Sequence, residues 1–316
     1  MTRAGLRRPT SSGFAQLSLL GITAVWGLTF VLVQDAIAHT PVLSFLAWRF
    51  LLAAALVAVL TAGRLRELSP AGWRAGIVMG VFLTAGYVLQ TYGLAHTSAA
   101  HSGFITGLFV VFTPLLAALT VRRRPSGTIL VGVAISLTGL ALLSGSGAGL
   151  HPLGDALTLG CALAFSVHIL VTDRVTRDHA TSALLAVQLA VCGGACLLAG
   201  AATGQLDAPT SGTVWLALLV TAILASALAF FVQTAAQRHA PPERAALIMA
   251  AEPAFAGLFA YLLKDERLSP AGWIGAACIL GAILLVELAP RSRGARPPTP
   301  EGALAPPVSD GVGAGR

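Results

Sequence analysis

Ten apolar segments, each close to 20 residues long, follow one another along most of this 316-residue chain. A helix that crosses the hydrocarbon core of a bilayer needs about 20 apolar residues. The segments are 15–33, 43–61, 75–95, 103–120, 127–144, 155–172, 182–200, 213–233, 245–263 and 271–289. The pattern therefore predicts an all-α membrane protein with ten transmembrane helices.

Composition excludes the two other broad classes. Charged residues make up 10% of the chain and hydrophobic residues 56%, whereas a soluble domain is about 25% charged. Disorder requires low hydrophobicity and high charge, so it is excluded for most of the length. The two ends of the chain differ from the rest. Residues 1–14 are expected to form a cytoplasmic tail. Residues 290–316 are rich in Arg, Pro, Gly and Ala and are expected to form a disordered cytoplasmic tail.

The 20 Lys and Arg residues are distributed unevenly over the loops. Basic loops stay on the cytoplasmic side of a membrane. With a cytoplasmic N-terminus, Lys264 and Arg267 lie outside, Arg49 lies within a span, and the other 17 lie inside. The charges predict a multi-pass protein with both termini cytoplasmic, and the Arg-rich, Lys-poor composition indicates a bacterial inner membrane. The basic cytoplasmic loops also account for the net charge of +7, so that charge does not indicate a nucleic-acid partner.

Two identical pentapeptides precede spans, at Ser69–Trp73 and Ser269–Trp273. Serine caps helices, proline suits the first turn, and tryptophan suits the interface between water and lipid. Both pentapeptides are therefore predicted to start helices.

The two halves of the chain share an order of features. Gly103–Ile105 precedes Pro114 in the fourth segment, and Ala246–Ile248 precedes Pro253 in the ninth. Gly132 and Gly275 correspond in the fifth and tenth segments. Because each half has an odd number of spans, the second copy would be inverted, as in many secondary transporters. Pro114 and Pro253 are expected to kink their helices. The alternative is a simple duplication with kinks that serve packing.

Several motifs resemble the drug/metabolite transporter superfamily, in its EamA-type branch with two five-helix repeats. They are Trp26–Phe30, Arg49, Tyr92–Ala99, Phe104–Pro114 and Glu252–Ala256. The family usually continues to a Gly-Glu pair, where this chain has Asp265-Glu266. The resemblance covers roughly 15–289 and implies repeats at 15–144 and 145–289. It also implies a ten-helix carrier that moves small organic molecules, often outward.

Arg49 is about six residues into the second segment, or ~9 Å along a helix. An arginine buried there costs at least a few kcal/mol unless it is paired or reaches water. It either faces a central cavity, where its planar fork would bind a carboxylate or phosphate, or has a structural role, in which it extends outward to the interface or pairs with a backbone carbonyl.

Glu252 lies ~12 Å along the ninth segment from Arg244, near the membrane midplane, without a basic neighbour in sequence. A carboxyl that is neutral when shielded and ionised when water reaches it is suited to proton coupling. The alternative is a structural hydrogen bond between helices, with Arg49 as one candidate partner.

Six further residues are candidates for contact with substrate because they place polar or amphipathic side chains inside apolar segments. They are Trp26, Tyr87, Gln90, Tyr92, His168 and Gln233. Packing is the alternative role for each of them, and for His168 a structural hydrogen bond.

These features predict a secondary transporter of small organic metabolites: amino acids, their derivatives, nucleobase-like compounds or drugs. We expect export, with proton coupling as an open option. No phosphate-binding loop or protease motif occurs, and no cofactor or metal is expected. The expected partners are a small-molecule metabolite and the lipid bilayer, and a homodimer is left open. The alternatives are an enzyme acting on lipid-linked groups and a sensor or structural membrane subunit.

Overall fold

The computed structural model describes residues 10–97, 99–121, 125–143, 151–238, 240–264 and 269–288. Within these ranges every regular element is a helix, and no β-strand occurs. The α-helices are α1 (Thr10–Ile37), α2 (Val42–Leu60), α3 (Ala62–Arg66), α4 (Pro70–Ala95), α5 (Ala99–Gly107), α6 (Phe109–Val121), α7 (Gly127–Leu143), α8 (Pro152–Val175), α9 (Thr181–Ala202), α10 (Gly212–Val220), α11 (Ala229–Gln237), α12 (Pro242–Met249), α13 (Glu252–Lys264) and α14 (Pro270–Leu288). A π-helical stretch, Thr221–Leu228, joins α10 to α11.

Within the described residues, seven helical runs are long and apolar enough to cross a membrane, which confirms the prediction of an all-α membrane protein. They are Gly13–Ile37, Val42–Leu60, Pro70–Ala95, Pro152–Val175, Thr181–Ala202, Gly212–Gln237 and Pro242–Leu263. Three apolar helices are shorter, at Ile105–Thr120, Gly127–Leu142 and Pro270–Val286. Each of the ten predicted segments coincides with one of these runs.

Some sequence predictions concern residues outside the described ranges. These are most of the N-terminal tail, the whole C-terminal tail from 290, the basic run 122–124, and the Asp265-Glu266 pair. Helix α1 begins at Thr10, so the last residues of the predicted N-terminal tail are helical.

The two pentapeptides start helices as predicted, and they do so with the same cap. Ser69 Oγ accepts a hydrogen bond from the Gly72 N–H at 3.2 Å, and Ser269 Oγ accepts one from the Gly272 N–H at 3.1 Å. In each case proline is the first residue of the helix. The caps satisfy backbone donors that a helix leaves unpaired at its start.

The most extensive helix contacts join the two halves of the chain instead of lying within either half. Helix α2 packs on α9, α4 on both α8 and α9, α7 on α14, and α1 on α13. Glycines allow the α4–α9 approach: a Cβ on Gly76 would lie 2.7 Å from Val187 Cβ, and one on Gly80 2.6 Å from Val191 Cβ. Small residues bring helices close where hydrophobic burial cannot drive association. The halves are therefore interleaved around one shared core.

The fourth and ninth predicted segments are both interrupted near their middle. Helix α5 ends at Gly107 and α6 begins at Phe109; α12 ends at Met249 and α13 begins at Glu252. The two interruptions face each other, because a Cβ on Gly107 would lie 3.3 Å from Pro253 Cγ. Non-helical backbone at membrane depth is tolerated where protein or a cavity surrounds it.

The two prolines predicted to kink these segments occupy different positions relative to the interruptions. Pro253 is the second residue of α13, and its missing N–H leaves the Met249 carbonyl without a helical donor, which accounts for a break directly before it. Pro114 lies inside α6, whereas the break in that segment is at Leu108. The break therefore does not coincide with Pro114.

Replacing Gly27 with alanine is expected to destabilise the α1–α13 contact. A Cβ there would lie 2.6 Å from Phe255 Cβ and 2.8 Å from the Ala256 backbone nitrogen, and overpacking of this kind costs about 1–3 kcal/mol. Gly21→Ala is the matched control in the same helix, since a Cβ at Gly21 meets nothing within 4 Å. The measurement is the thermal unfolding midpoint in detergent. Equal midpoints for the two variants would mean that the contact is looser than described.

Candidate functional site

A cavity lies where α1, α2, α4, α8, α11 and the α12–α13 break meet. Its empty volume is about 670 Å³, a value that includes its open side and so bounds the occupant from above. Its lining combines aromatic side chains with a small number of polar groups, as sites for small organic ligands do.

Seven of the eight side chains predicted for substrate binding or coupling line this one cavity. They are Trp26, Arg49, Tyr87, Gln90, His168, Gln233 and Glu252. Tyr92 is the exception: its hydroxyl donates to Gln205 Oε1 at 2.9 Å, in the loop after α9. Residues two apart on an α-helix face different sides, so Tyr92 and Gln90 diverge although they are near neighbours in sequence.

Arg49 is buried in the wall of the cavity, with 2% of its surface exposed. Its Nε donates to Ser226 Oγ at 2.9 Å and its Nη2 donates to the Tyr87 hydroxyl at 3.3 Å. The guanidinium carbon also lies 4.6 Å from the centre of the Tyr87 ring and 5.0 Å from that of Phe50. Arg49 thus points into the protein and not outward to the interface.

Among the described residues, no carboxylate lies within ion-pair distance of Arg49. Two of its five N–H donors are used, both by neutral oxygens. Burying a charge without an ionic partner is costly, and the contacts to neutral oxygens and aromatic rings offset only part of that cost. The arrangement can therefore gain free energy by binding an anion.

Glu252 is the first residue of α13, directly after the Ala250–Ala251 interruption. It is half-buried and lines the cavity. Within the described part of the chain its carboxyl has no hydrogen-bond or ion-pair partner, and Arg49 is not in direct contact with it. The cavity thus contains a cation and a carboxyl that do not neutralise each other directly.

The three remaining polar candidates differ in how well their side chains are satisfied. Gln90 Nε2 donates to Thr106 Oγ1 at 3.4 Å, and His168 Nε2 lies 2.8 Å from Gln188 Oε1. Gln233 is buried, and its Oε1 has no hydrogen-bond partner among the described residues. An unpaired buried acceptor costs about 1–3 kcal/mol, so Gln233 favours a ligand that brings an N–H donor.

Aromatic rings form most of the apolar wall. The Trp26 indole N–H donates to the Ala225 carbonyl at 2.8 Å, and its ring lies 5.3 Å from that of Phe230. Tyr87 contacts Phe165 and Phe230 at ring distances of 5.3 and 6.0 Å. This wall suits a ligand with an apolar or aromatic body.

Sequence reasoning missed the phenylalanines of the wall and the partner of Arg49. Phe30, Phe109, Phe165 and Phe230 line the cavity, yet in the sequence they resemble any lipid-facing residue of an apolar span. Phe230 had one usable signal, because it lies three residues before Gln233 and so on the same helix face. Ser226 carried no signal, since small polar residues are common in spans.

Nothing in the described residues suggests a metal site. Those residues contain no group of three or more His, Cys, Asp or Glu side chains close enough to hold a metal ion. The four cysteines, Cys161, Cys192, Cys196 and Cys278, are free thiols.

Comparison with known proteins gives a consistent family. The EamA-like transporter family matches this chain twice, at residues 13–145 and 152–288. An uncharacterized transporter of Archaeoglobus fulgidus is 30% identical over 276 residues, covering 87% of this chain and 86% of its own length. The uncharacterized inner membrane transporter YedA of Escherichia coli is 25% identical over 278 residues, covering 86% of this chain and 90% of its own length.

A solved structure supports the same fold. The crystal structure of another protein matches this chain with a TM-score of 0.74 at 20% identity, and the match covers 88% of this chain and 98% of the other. Together with the double family match, these findings identify the chain as a multi-pass membrane transporter that belongs to the EamA-like transporter family.

Proposed function

We propose that this protein is a secondary transporter for small organic metabolites that combine an apolar body with a carboxylate and an amino group. Apolar amino acids and their derivatives are the simplest members of that class. The observation that carries the proposal is the buried guanidinium of Arg49, which has no carboxylate in ion-pair contact among the described residues and lies in the same aromatic cavity as the carboxyl of Glu252.

Each part of such a ligand has a complementary group in the cavity. The ligand carboxylate would accept hydrogen bonds from the unused N–H groups of Arg49. Its amino group would donate to Gln233 Oε1, which has no partner among the described residues, or to Glu252. Its apolar body would pack against Trp26 and Phe230.

For the architecture we propose ten spans arranged as two inverted five-helix repeats, 15–144 and 145–289. Support comes from the double family match and from the interruption found in the fourth segment of each half. The helix contacts also recur in the two halves. The first helix of the first half, α1, packs on α13 of the second half, and the first helix of the second half, α8, packs on the corresponding helix of the first half, α6. Inverted repeats place a substrate site near the midplane between them.

For the orientation we propose both termini in the cytoplasm of a bacterial cell, with the protein in the inner membrane. In a cysteine-free background, Asp207→Cys in the α9–α10 loop is then expected to react with an impermeant maleimide on intact cells. Glu67→Cys in the α3–α4 loop is the matched control and is expected to stay unlabelled, because both side chains are exposed carboxylates in loops. The opposite labelling pattern would invert the topology.

We further propose that transport runs outward and is coupled to protons through Glu252. The resemblance to EamA-type carriers favours export. The coupling rests on the placement of Glu252 at a helix interruption where it faces the cavity. A metabolite-accumulation screen of cells with and without the protein would test the direction.

Counterflow in proteoliposomes tests the substrate class. Vesicles loaded with unlabelled L-phenylalanine are expected to take up labelled L-phenylalanine faster than empty vesicles do. Unlabelled L-leucine should compete, whereas L-phenylalaninamide, which lacks the carboxylate, and N-acetyl-L-phenylalanine, which lacks the charged amine, should compete at least about tenfold more weakly. Absence of counterflow, or equal competition by all three compounds, would overturn the proposed class.

A further inference from the structure

The helical run Gly212–Gln237 changes its hydrogen-bond pattern beside the cavity. Its middle part, Thr221–Leu228, is π-helical, and two consecutive residues of that part each hold one cavity residue. Ser226 Oγ accepts from Arg49 Nε at 2.9 Å, and the Ala225 carbonyl accepts from the Trp26 indole N–H at 2.8 Å. One short stretch thus anchors the cation and one wall of the cavity.

The bond to Ser226 determines which donors of Arg49 remain available. The bond to Ser226 uses the Nε–H of Arg49, so it holds the guanidinium group in one orientation. Most of the N–H groups on the two terminal nitrogens stay free. A carboxylate binds a guanidinium in a fork geometry through parallel N–H donors. The Tyr87 hydroxyl, at 3.3 Å from Nη2, is the longer of the two contacts.

Several other buried hydroxyls in the spans are bonded within their own helix. Thr23, Thr158 and Thr234 donate to carbonyls four residues earlier, at 2.6 to 2.8 Å. That local bond satisfies a hydroxyl without any partner helix. Ser226 instead contacts Arg49 of α2, 177 positions away in sequence, so its hydroxyl connects the π-helical stretch to the cavity.

The π-helical geometry supplies these contacts. In a π-helix the backbone bonds run from residue i to i+5 and not to i+4, so the turn is wider and its carbonyls are displaced from their α-helical positions. Both α1 and α2 pack directly on this stretch. The displaced turn thereby presents a carbonyl to Trp26 and a hydroxyl to Arg49 at adjacent positions.

We propose that Ser226 is a positioning residue for substrate recognition: its hydroxyl, presented by the π-helical stretch, holds the Arg49 guanidinium so that its terminal donors face the ligand carboxylate. This inference rests on the proposed function, since it assigns a role in binding the carboxylate. Ser226 should therefore affect the affinity for ligands that have a carboxylate and not for ligands that lack one.

The test compares Ser226→Ala with Thr221→Val, which removes a hydroxyl from the same stretch. Within the described part of the chain, the one hydrogen bond of Thr221 Oγ1 is to the Leu218 carbonyl, at 3.4 Å, so its loss should leave transport unchanged. Ser226→Ala should raise the KM for L-phenylalanine exchange about tenfold, the loss of one hydrogen bond to a charged group. Vmax and inhibition by L-phenylalaninamide should stay at parental values, and Ser226→Thr should restore the KM.

A double-mutant cycle separates this inference from the proposed function. In an Arg49→Gln background, Ser226→Ala should have no further effect on the KM, because the group it positions is gone. Equal KM changes in both backgrounds, or an equal loss of amide inhibition, would overturn the positioning role and leave the proposed function intact. If Arg49→Gln itself leaves the KM for L-phenylalanine unchanged, the proposed function fails and this inference fails with it.

Discussion

Arg49→Gln is expected to raise the KM for L-phenylalanine by about 10- to 100-fold while inhibition by L-phenylalaninamide remains near the parental level. Hydrogen bonds to charged groups are worth about 1.5–3 kcal/mol, and the variant removes the buried cation that would bind the carboxylate. L-Phenylalaninamide lacks that carboxylate, so its affinity for the transporter should change little. The measurement is counterflow in proteoliposomes across a range of substrate and inhibitor concentrations.

Arg66→Gln is the matched control, because Arg66 is an exposed residue of α3 outside the cavity. It also removes one positive charge, and it should leave the KM for L-phenylalanine and the inhibition by L-phenylalaninamide unchanged. If Arg49→Gln weakens the acid and the amide equally, Arg49 has a structural role in holding Ser226 and Tyr87 together. A lower unfolding midpoint without a change in the KM would support the same conclusion.

The helix positions were predictable because the signals for them are local. Each predicted segment coincides with a helical run, and the Ser69 and Ser269 caps form as the repeated pentapeptide predicts. Length, apolarity and capping depend on neighbours in sequence, so a single chain carries them. The grouping of Arg49, Glu252 and Gln233 was also accessible, since polar side chains in a bilayer face the bundle interior.

The helix interruptions were predictable only in part. Pro253 accounts for the break before α13, but the break at Leu108 precedes Pro114 by six residues. That break lies against Pro253 across the bundle, which is a tertiary contact between residues far apart in sequence. The π-helical stretch is similar, since its contacts to Trp26 and Arg49 come from two other helices.

The cavity wall was the least predictable part of the site. Phe165 and Phe230 face the cavity, whereas Phe231, next to Phe230, is exposed on the outside of the bundle. In lipid both environments are apolar, so hydrophobic periodicity does not separate them. Tyr92 is the reverse case: its polar hydroxyl favoured a cavity position, but Tyr92 is not among the residues that line this cavity, and its hydroxyl donates to the Gln205 side chain in a loop.

Glu252→Gln is expected to abolish accumulation of L-phenylalanine driven by a pH gradient while leaving counterflow within a few-fold of the parental rate. Glutamine keeps the shape and hydrogen bonding of the side chain but cannot bind and release a proton at physiological pH. A gradient of one pH unit is worth about 1.4 kcal/mol per proton and supports about tenfold accumulation. The measurement is uptake into proteoliposomes with an imposed pH gradient, compared with exchange at equal pH.

The position of Glu252 explains why both readouts are needed. It is the first residue of α13, directly after the interruption, and within the described residues its carboxyl has no hydrogen-bond or ion-pair partner. If the carboxyl couples transport, only the driven process fails, because the cavity still binds and exchanges substrate. Glu67→Gln, an exposed carboxyl in the α3–α4 loop, is the matched control and should leave both processes unchanged. Driven accumulation by Glu252→Gln at the parental level would assign this carboxyl to substrate contact or packing, and the coupling proton would then require another residue.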